Sequence, residues 1–198
     1  RPVTEGVTPA MAGAVRAKFL TGLFDDVNRA CSLSYLQEIF AICGYDFAGE
    51  PYVLDRPEPV PAFDLPAGAP LVGLNTGCGG RWTSRLWPES SWAELARGLR
   101  GQGLNVVLLG GPEEHDKNAR LALATGATYP GHFDLRTFIG LVDRCDLVVS
   151  AVTMAMHIAL GLGKRLVLLN NIFNPREFEL YGRGVIVQPT QACSCFFQ

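Results

Sequence analysis

Residues 145–171, CDLVVSAVTMAMHIALGLGKRLVLLNN, constrain the fold of this chain more than any other stretch. Residues 146–150 are an apolar, β-branched run that suits a strand covered on both faces. Residues 153–162 follow a helical period, and Thr153 is placed to cap that helix by accepting an orphan amide on its hydroxyl. Gly163 closes the helix, because glycine takes the left-handed conformation at that position without strain. Residues 165–169 read as a second buried strand. Such a βαβ unit sets the start of its helix at the carboxyl edge of a parallel sheet. Amides and dipole there favour an anion, and open α/β sheets bind their ligands at that edge. Ser150, Thr153 and Met154 are therefore expected to face a phosphate-bearing ligand, while Ala151, Val152, Ala155, Met156, Ile158 and Ala159 read as core. His157 lies one turn after Thr153 on the same helical face. Taken alone, it reads as a packed, hydrogen-bonded residue rather than a catalyst.

Strands alternate with helices on both sides of this unit. Residues 71–75, 105–109 and 185–187 read as strands, with a short one near 127–129. A helix at 91–101 opens on Ser91-Trp-Ala-Glu94, a capping-box pattern. Another begins at Pro112, with Glu113, Glu114 and Asp116 loading its first turn, and runs to about Thr125. Asp134 caps a further helix that extends to about Arg144. Asn174-Pro175-Arg176-Glu177 reads as one more helix start. Right-handed crossovers turn this alternation into a doubly wound parallel sheet, an α/β fold of the Rossmann-like kind. The domain would span residues 71–198. Before it, residues 10–23 are weakly helical, and 32–43 more clearly so, with Leu36, Ile39, Phe40 and Cys43 in register and Gly44 as the stop. Pro57, Pro59, Pro61, Pro66 and Pro70 mark a semi-rigid linker. Residues 1–70 thus read as helical segments followed by a linker.

Composition narrows the classes. The 198 residues are 48% hydrophobic and 18% charged, which suits a sizeable core. A net charge of −2 argues against an electrostatic nucleic-acid binder. No apolar run reaches the roughly 18 residues that span a bilayer, and no signal peptide is legible, so a cytoplasmic location is expected. Cys31, Cys43, Cys78, Cys145, Cys193 and Cys195 lack zinc spacing and read as reduced thiols. The missing initiator methionine and the abrupt end after Cys193-Ser-Cys195-Phe-Phe-Gln suggest a piece of a longer protein.

The loop from Thr76 to Arg85 follows a strand directly and carries Gly77, Gly79, Gly80, Arg81 and Arg85. Glycines let amides approach a phosphate, and arginines supply forked donors. The loop matches neither Walker A nor GxGxxG, and alone it could be a solvated surface loop. It shares a sheet edge with Thr153, however, and two loops converging on one edge favour the anion site. Glu114, after Gly110-Gly111-Pro112, sits on that edge too, where a carboxylate can accept from ribose hydroxyls. Its plainer role is a charge at a helix start. His115 and His132 read as exposed and without partners. No Ser–His–Asp order, HExxH or close carboxylate pair is present, so no base is assigned and neither metal nor cofactor is expected.

Three segments occur in a characteristic order: Arg85-Leu-Trp-Pro88, Gly110-Gly-Pro-Glu-Glu114 and Ser150-Ala-Val-Thr-Met-Ala-Met-His157. Together they resemble the carboxyl-terminal half of the heptosyltransferase-like glycosyltransferases of family nine, two-domain enzymes of GT-B architecture. The resemblance covers about residues 71–187. It implies a Rossmann-like half that binds a nucleotide-sugar donor, typically an ADP-sugar. A first half would supply the catalytic base, the lipopolysaccharide or polysaccharide acceptor site, and any peripheral membrane contact. By position, Arg85 would contact donor phosphate, Glu114 would hold the ribose, and Thr153 and His157 would stand at the threonine and histidine of the Ser-x-Asp-Thr-Gly-x-x-His signature. Val152 departs from that aspartate and Met154 from that glycine. Thr76, Gly77, Arg81, Arg85, Glu114, Ser150, Thr153, Met154 and His157 form the expected donor-binding set. The alternatives are a nucleotide-sugar epimerase of similar fold and a non-catalytic nucleotide-binding module.

Overall fold

A computed structural model describes residues 6–59, 62–79 and 86–190. Arg81, Arg85, Cys193 and Cys195 lie outside the described residues. The chain divides into two compact units. One comprises residues 52–171 and 182–189, and the other residues 1–51, 172–181 and 190–198.

The larger unit is a parallel sheet of β1 (Leu71–Asn75), β2 (Asn105–Leu109), β3 (Leu147–Ala151), β4 (Arg165–Leu169) and β5 (Gly184–Val187). The strand order is β2-β1-β3-β4-β5, with every pair parallel. Thr128 extends the sheet as an isolated bridge to Val107. The helices are α4 (Glu89–Gly101), α5 (His115–Thr125), α6 (Leu135–Asp143) and α7 (Met154–Gly161). The sequence moves from β1 outward to β2, then returns and continues from β3 to β5. Right-handed crossovers in opposite directions place α4 and α5 on one face and α6 and α7 on the other. The strand order reverses between β1 and β3, and ligands of such sheets bind at that switch point.

Packing follows from side-chain parity along the strands. Val72 and Leu74 of β1, Val106 and Leu108 of β2, and Val149 of β3 meet Trp92, Ala93 and Ala96 of α4 and Leu121 of α5 in one buried cluster. On the other face Gly73 is required by crowding. A Cβ there would lie 2.8 Å from both Cys145 Sγ and Leu109 Cδ1. β4 is not the doubly buried strand its apolar run predicts. Leu166 and Leu168 are fully buried, but Arg165 is exposed and Val167 and Leu169 only fringe the α4–α5 core.

Two expected caps form differently. α4 begins at Glu89, with Pro88 as its N-cap residue and no side-chain cap. Ser91 and Glu94 therefore lie inside the helix. Proline fixes φ at a value that leads into a helix, and Glu89 puts a carboxylate where the dipole favours it. Thr153 precedes α7 but makes no side-chain cap either, since its hydroxyl is engaged elsewhere. Asp134 does cap α6, its Oδ1 accepting the Thr137 amide at 2.9 Å. Gly163 has the left-handed φ of +71° expected after α7.

The smaller unit holds α1 (Pro9–Leu23), α2 (Asp25–Ala30) and α3 (Tyr35–Ile42). Ser34 and Gln37 cap α3 reciprocally, at 3.2 and 2.8 Å. Glu38, buried on α3, pairs with Lys18 of α1 at 2.6 Å. The segment 172–181, between β4 and β5 in sequence, belongs here. Asn174 donates to the carbonyls of Asn28 and Cys31 at 2.7 and 2.9 Å, and Asn28 donates to Glu177 at 2.7 Å. The Asn174-Pro175 start yields a single 3₁₀ turn, Pro175–Glu177. Among the described residues no helix is long and apolar enough to cross a membrane.

Candidate functional site

At the switch point a cavity of about 700 Å³ opens between the loops that follow β1, β2 and β3. Asn75, Gly77, Cys78 and Gly79 line it from β1, Gly110 to Glu114 from β2, and Val152 to Ala155 from β3. Phe133, Leu135 and Phe138 add an apolar wall at the start of α6. The polar side joins the backbone of the glycine-rich turns to the side chains of Asn75, Glu113, Glu114 and Thr153, and Met154 and Ala155 of the first turn of α7 border the same space. Amides so arranged suit an anion, helped by the positive end of the helix.

Asn75 organises this edge. Its position opposite Ser150 in the β1–β3 register brings β3 and the loops after β1 and β3 within reach of one amide. Nδ2 donates to Gly77 O at 3.0 Å and lies 3.2 Å from both Ser150 Oγ and Thr153 Oγ1. Ser150 Oγ is 3.0 Å from Thr153 Oγ1 and donates to Ala151 O at 2.8 Å. Thr153 is thereby drawn off cap duty, which leaves the amides of Met154 and Ala155, at the cavity lining, without a side-chain cap.

A second set of contacts shapes the β2 loop. Glu114, only 8% exposed, folds back so that Oε2 accepts the Gly111 amide at 2.9 Å. Gly77 packs directly on its carboxylate. A Cβ on Gly77 would lie 2.0 Å from both Cδ and Oε1 of Glu114. Asn118, fully buried, accepts the Thr76 hydroxyl at 2.5 Å and donates to Leu109 O at 3.2 Å. Lys117 Nζ donates to Thr76 O at 2.8 Å, and desolvation holds its pKa below the ordinary lysine value. The β1 and β2 loops are thus fastened from behind the cavity.

Of the expected residues, Gly77, Glu114, Thr153 and Met154 come together around the cavity. Thr76 and Ser150 do not face it. They are 2% and 0% exposed, and their hydroxyls serve Asn118 and the Asn75–Thr153 cluster. The reason is parity at the strand ends, which turns both side chains inward. His157 is also displaced from the expected place. It borders a separate groove, with Nδ1 3.3 Å from the Tyr52 hydroxyl. Desolvation lowers its pKa, so the ring is neutral near pH 7 and keeps one acceptor nitrogen. Arg81 and Arg85 lie outside the described residues. His115 and His132 are exposed as expected but not isolated. Their rings meet edge to face at 5.2 Å, and His115 Nδ1 lies 3.2 Å from the Tyr129 hydroxyl.

Asn75, Asn118 and Phe133 were missed from sequence. Asn118 carried a signal, since it shares the inward stripe of α5 with Leu121 and Thr125. A polar residue on such a stripe is buried and must find partners.

Comparison with known proteins agrees with this geometry. Lipopolysaccharide heptosyltransferase 2 of Salmonella typhimurium is 28% identical over 120 residues, which cover 57% of this chain and 34% of that protein. The chain therefore spans about a third of that relative. The structure of the Escherichia coli ADP-heptose lipopolysaccharide heptosyltransferase II superposes with a TM-score of 0.54 at 23% identity, covering 63% of this chain and 40% of that one. E. coli heptosyltransferase WaaC with ADP-2-deoxy-2-fluoro heptose gives 0.53 at 21%, covering 63% and 38%. The sheet is thus the Rossmann-like half of a GT-B fold. The profile of glycosyltransferase family 9 (heptosyltransferase) matches residues 37–195, so this chain belongs to that family.

Proposed function

We propose that this chain supplies the donor-binding half of a heptosyltransferase-like enzyme, which moves a sugar from an ADP-sugar to a lipopolysaccharide or related surface polysaccharide. The observation that carries the reading is the cavity at the switch point, where glycine-rich turns, the uncapped start of α7 and the Glu114 carboxylate converge. Diphosphate would lie against the amides, and ribose hydroxyls would donate to Glu114. The base would stack on the wall of Phe133, Leu135 and Phe138. Residues 1–70 would form the end of the acceptor-side half and the linker. The proton acceptor, and any peripheral membrane contact, would come from the rest of the full-length protein, at the cytoplasmic face.

Titration calorimetry with ADP, UDP and ADP-heptose tests this directly. ADP and ADP-heptose should bind, with UDP weaker. No heat with any of them would sink the reading. Two further results are expected. Cys78 is half-buried and lines the cavity, whereas burial pushes the Cys145 thiol up to about 12. Alkylation followed by peptide mass spectrometry should label Cys78, spare Cys145, and show Cys78 protected by saturating ADP. Unchanged labelling of Cys78 would place the nucleotide elsewhere. The family resemblance further assigns Arg85 to donor phosphate. Arg85→Ala should weaken ADP binding by about 1.5–3 kcal/mol, the range for hydrogen bonds to charged groups. Arg85→Lys should restore part of this, since charge survives while the fork is lost. An alanine variant that binds like the parent would remove Arg85 from the site.

A further inference from the structure

We propose that Met154 is the residue that selects the sugar of the donor, acting as a partition between two spaces. This rests on the donor reading above. Met154 opens α7, is 57% exposed, and lines the switch-point cavity on one side. On its other side it lines a groove of about 380 Å³ formed with Tyr52, Leu54, His157 and Gly161. It is the residue common to the two linings, and a long unbranched side chain there keeps the two spaces apart.

The sheet order gives the direction in which a donor would lie. Glu114 follows β2, and Phe133 of the apolar wall stands between α6 and Thr128, which pairs with β2. Base and ribose therefore belong on the β2 side. The amides at the start of α7 follow β3, so the diphosphate lies across the switch point. A sugar continuing in the same direction arrives at Met154, next to the helix that crosses to β4. There it meets the apolar side chain of Met154. The groove behind that wall is narrow: Leu54 packs so closely on α7 that a Cβ on Gly161 would lie 3.0 Å from Leu54 Cβ. Removing the thioether would join the groove to the cavity and open it to an exocyclic carbon chain. Met154 thus discriminates by length of the sugar's side chain.

Hydrophobic walls of this kind separate ligands that differ by one carbon by about 10–200-fold. The experiment is calorimetry on the parent, Met154→Gly and Met154→Leu, each with ADP, ADP-glucose and ADP-heptose. ADP should still bind all three proteins, and the ratio between the two sugars is the readout. The parent should distinguish the hexose from the heptose by at least about tenfold. The glycine variant should bring that ratio to within about threefold, by joining cavity and groove. Leucine, which nearly conserves volume, should keep the parent's ratio. An equal ratio in the parent and the glycine variant, with ADP still bound, would overturn the role of Met154 alone. So would a parent that does not distinguish the two sugars. Loss of ADP binding in the parent would instead overturn the donor reading, and this proposal with it.

Discussion

Replacing Asn75 by aspartate is expected to lower folding stability by about 3–5 kcal/mol near neutral pH, the cost of an unpaired charge in a buried site. Asn75 is 5% exposed and donates from Nδ2 toward Gly77 O, Ser150 Oγ and Thr153 Oγ1. The Thr153 hydroxyl can rotate to donate to a carboxylate. Ser150 can do so only by leaving Ala151 O, and the Gly77 carbonyl cannot do so at all. Two acceptors would then face each other at a side chain that is only 5% exposed. Burial raises the folded-state pKa of the introduced carboxyl above its unfolded value. Below the unfolded value both states are protonated and the charge-dependent penalty is absent. It grows as pH rises toward the folded value and is complete above it. Urea melts at pH 4 and pH 8 check this. The deficit should be larger at pH 8, and a deficit under about 1 kcal/mol at both would show that the network around Asn75 contributes little.

The strands were legible because each is a short apolar run bounded by breakers. β1, β2 and β4 occupy the residues read from sequence, 71–75, 105–109 and 165–169. Parallel order followed from alternation with helices, and the right-handed rule then placed the glycine-rich turns, Glu114 and Met154 on one edge. What was not legible depends on pairs distant in sequence. Thr153 looks like a cap until Asn75, 78 residues away, takes its hydroxyl. Thr76 and Ser150 look like ligand contacts until register turns them inward, toward Asn118 and Asn75. Segment 172–181 reads as one more helix start within the sheet domain, but Asn174 fastens it to Asn28, 146 residues earlier. His157 was placed one turn from the site by helical spacing, and spacing does not say that Tyr52 occupies that side.

Gly77→Ala should weaken ADP and ADP-heptose binding by about 2–4.5 kcal/mol while leaving the fold intact. That figure combines the loss of a charged hydrogen-bond acceptor for ribose, about 1.5–3 kcal/mol, with a loosened Gly111 turn, about 0.5–1.5 kcal/mol. The new methyl would stand 2.0 Å from the Glu114 carboxylate, so one of them must move. Gly77 is held by its carbonyl to Asn75, and the loop behind it by Thr76 to Asn118 and Lys117. The Glu114 side chain, tied by one contact to the Gly111 amide, is the part that gives way. It swings into the cavity, abandons Gly111 and obstructs the space for ribose. A double-mutant cycle isolates this cause, because coupled neighbours are not additive. Glu114→Ala removes the obstruction, so Gly77→Ala should cost almost nothing further in that background. Equal losses from Gly77→Ala with and without the Glu114 side chain would show that the glycine serves an approaching phosphate directly, and that Glu114 is only the charge at the start of its helix.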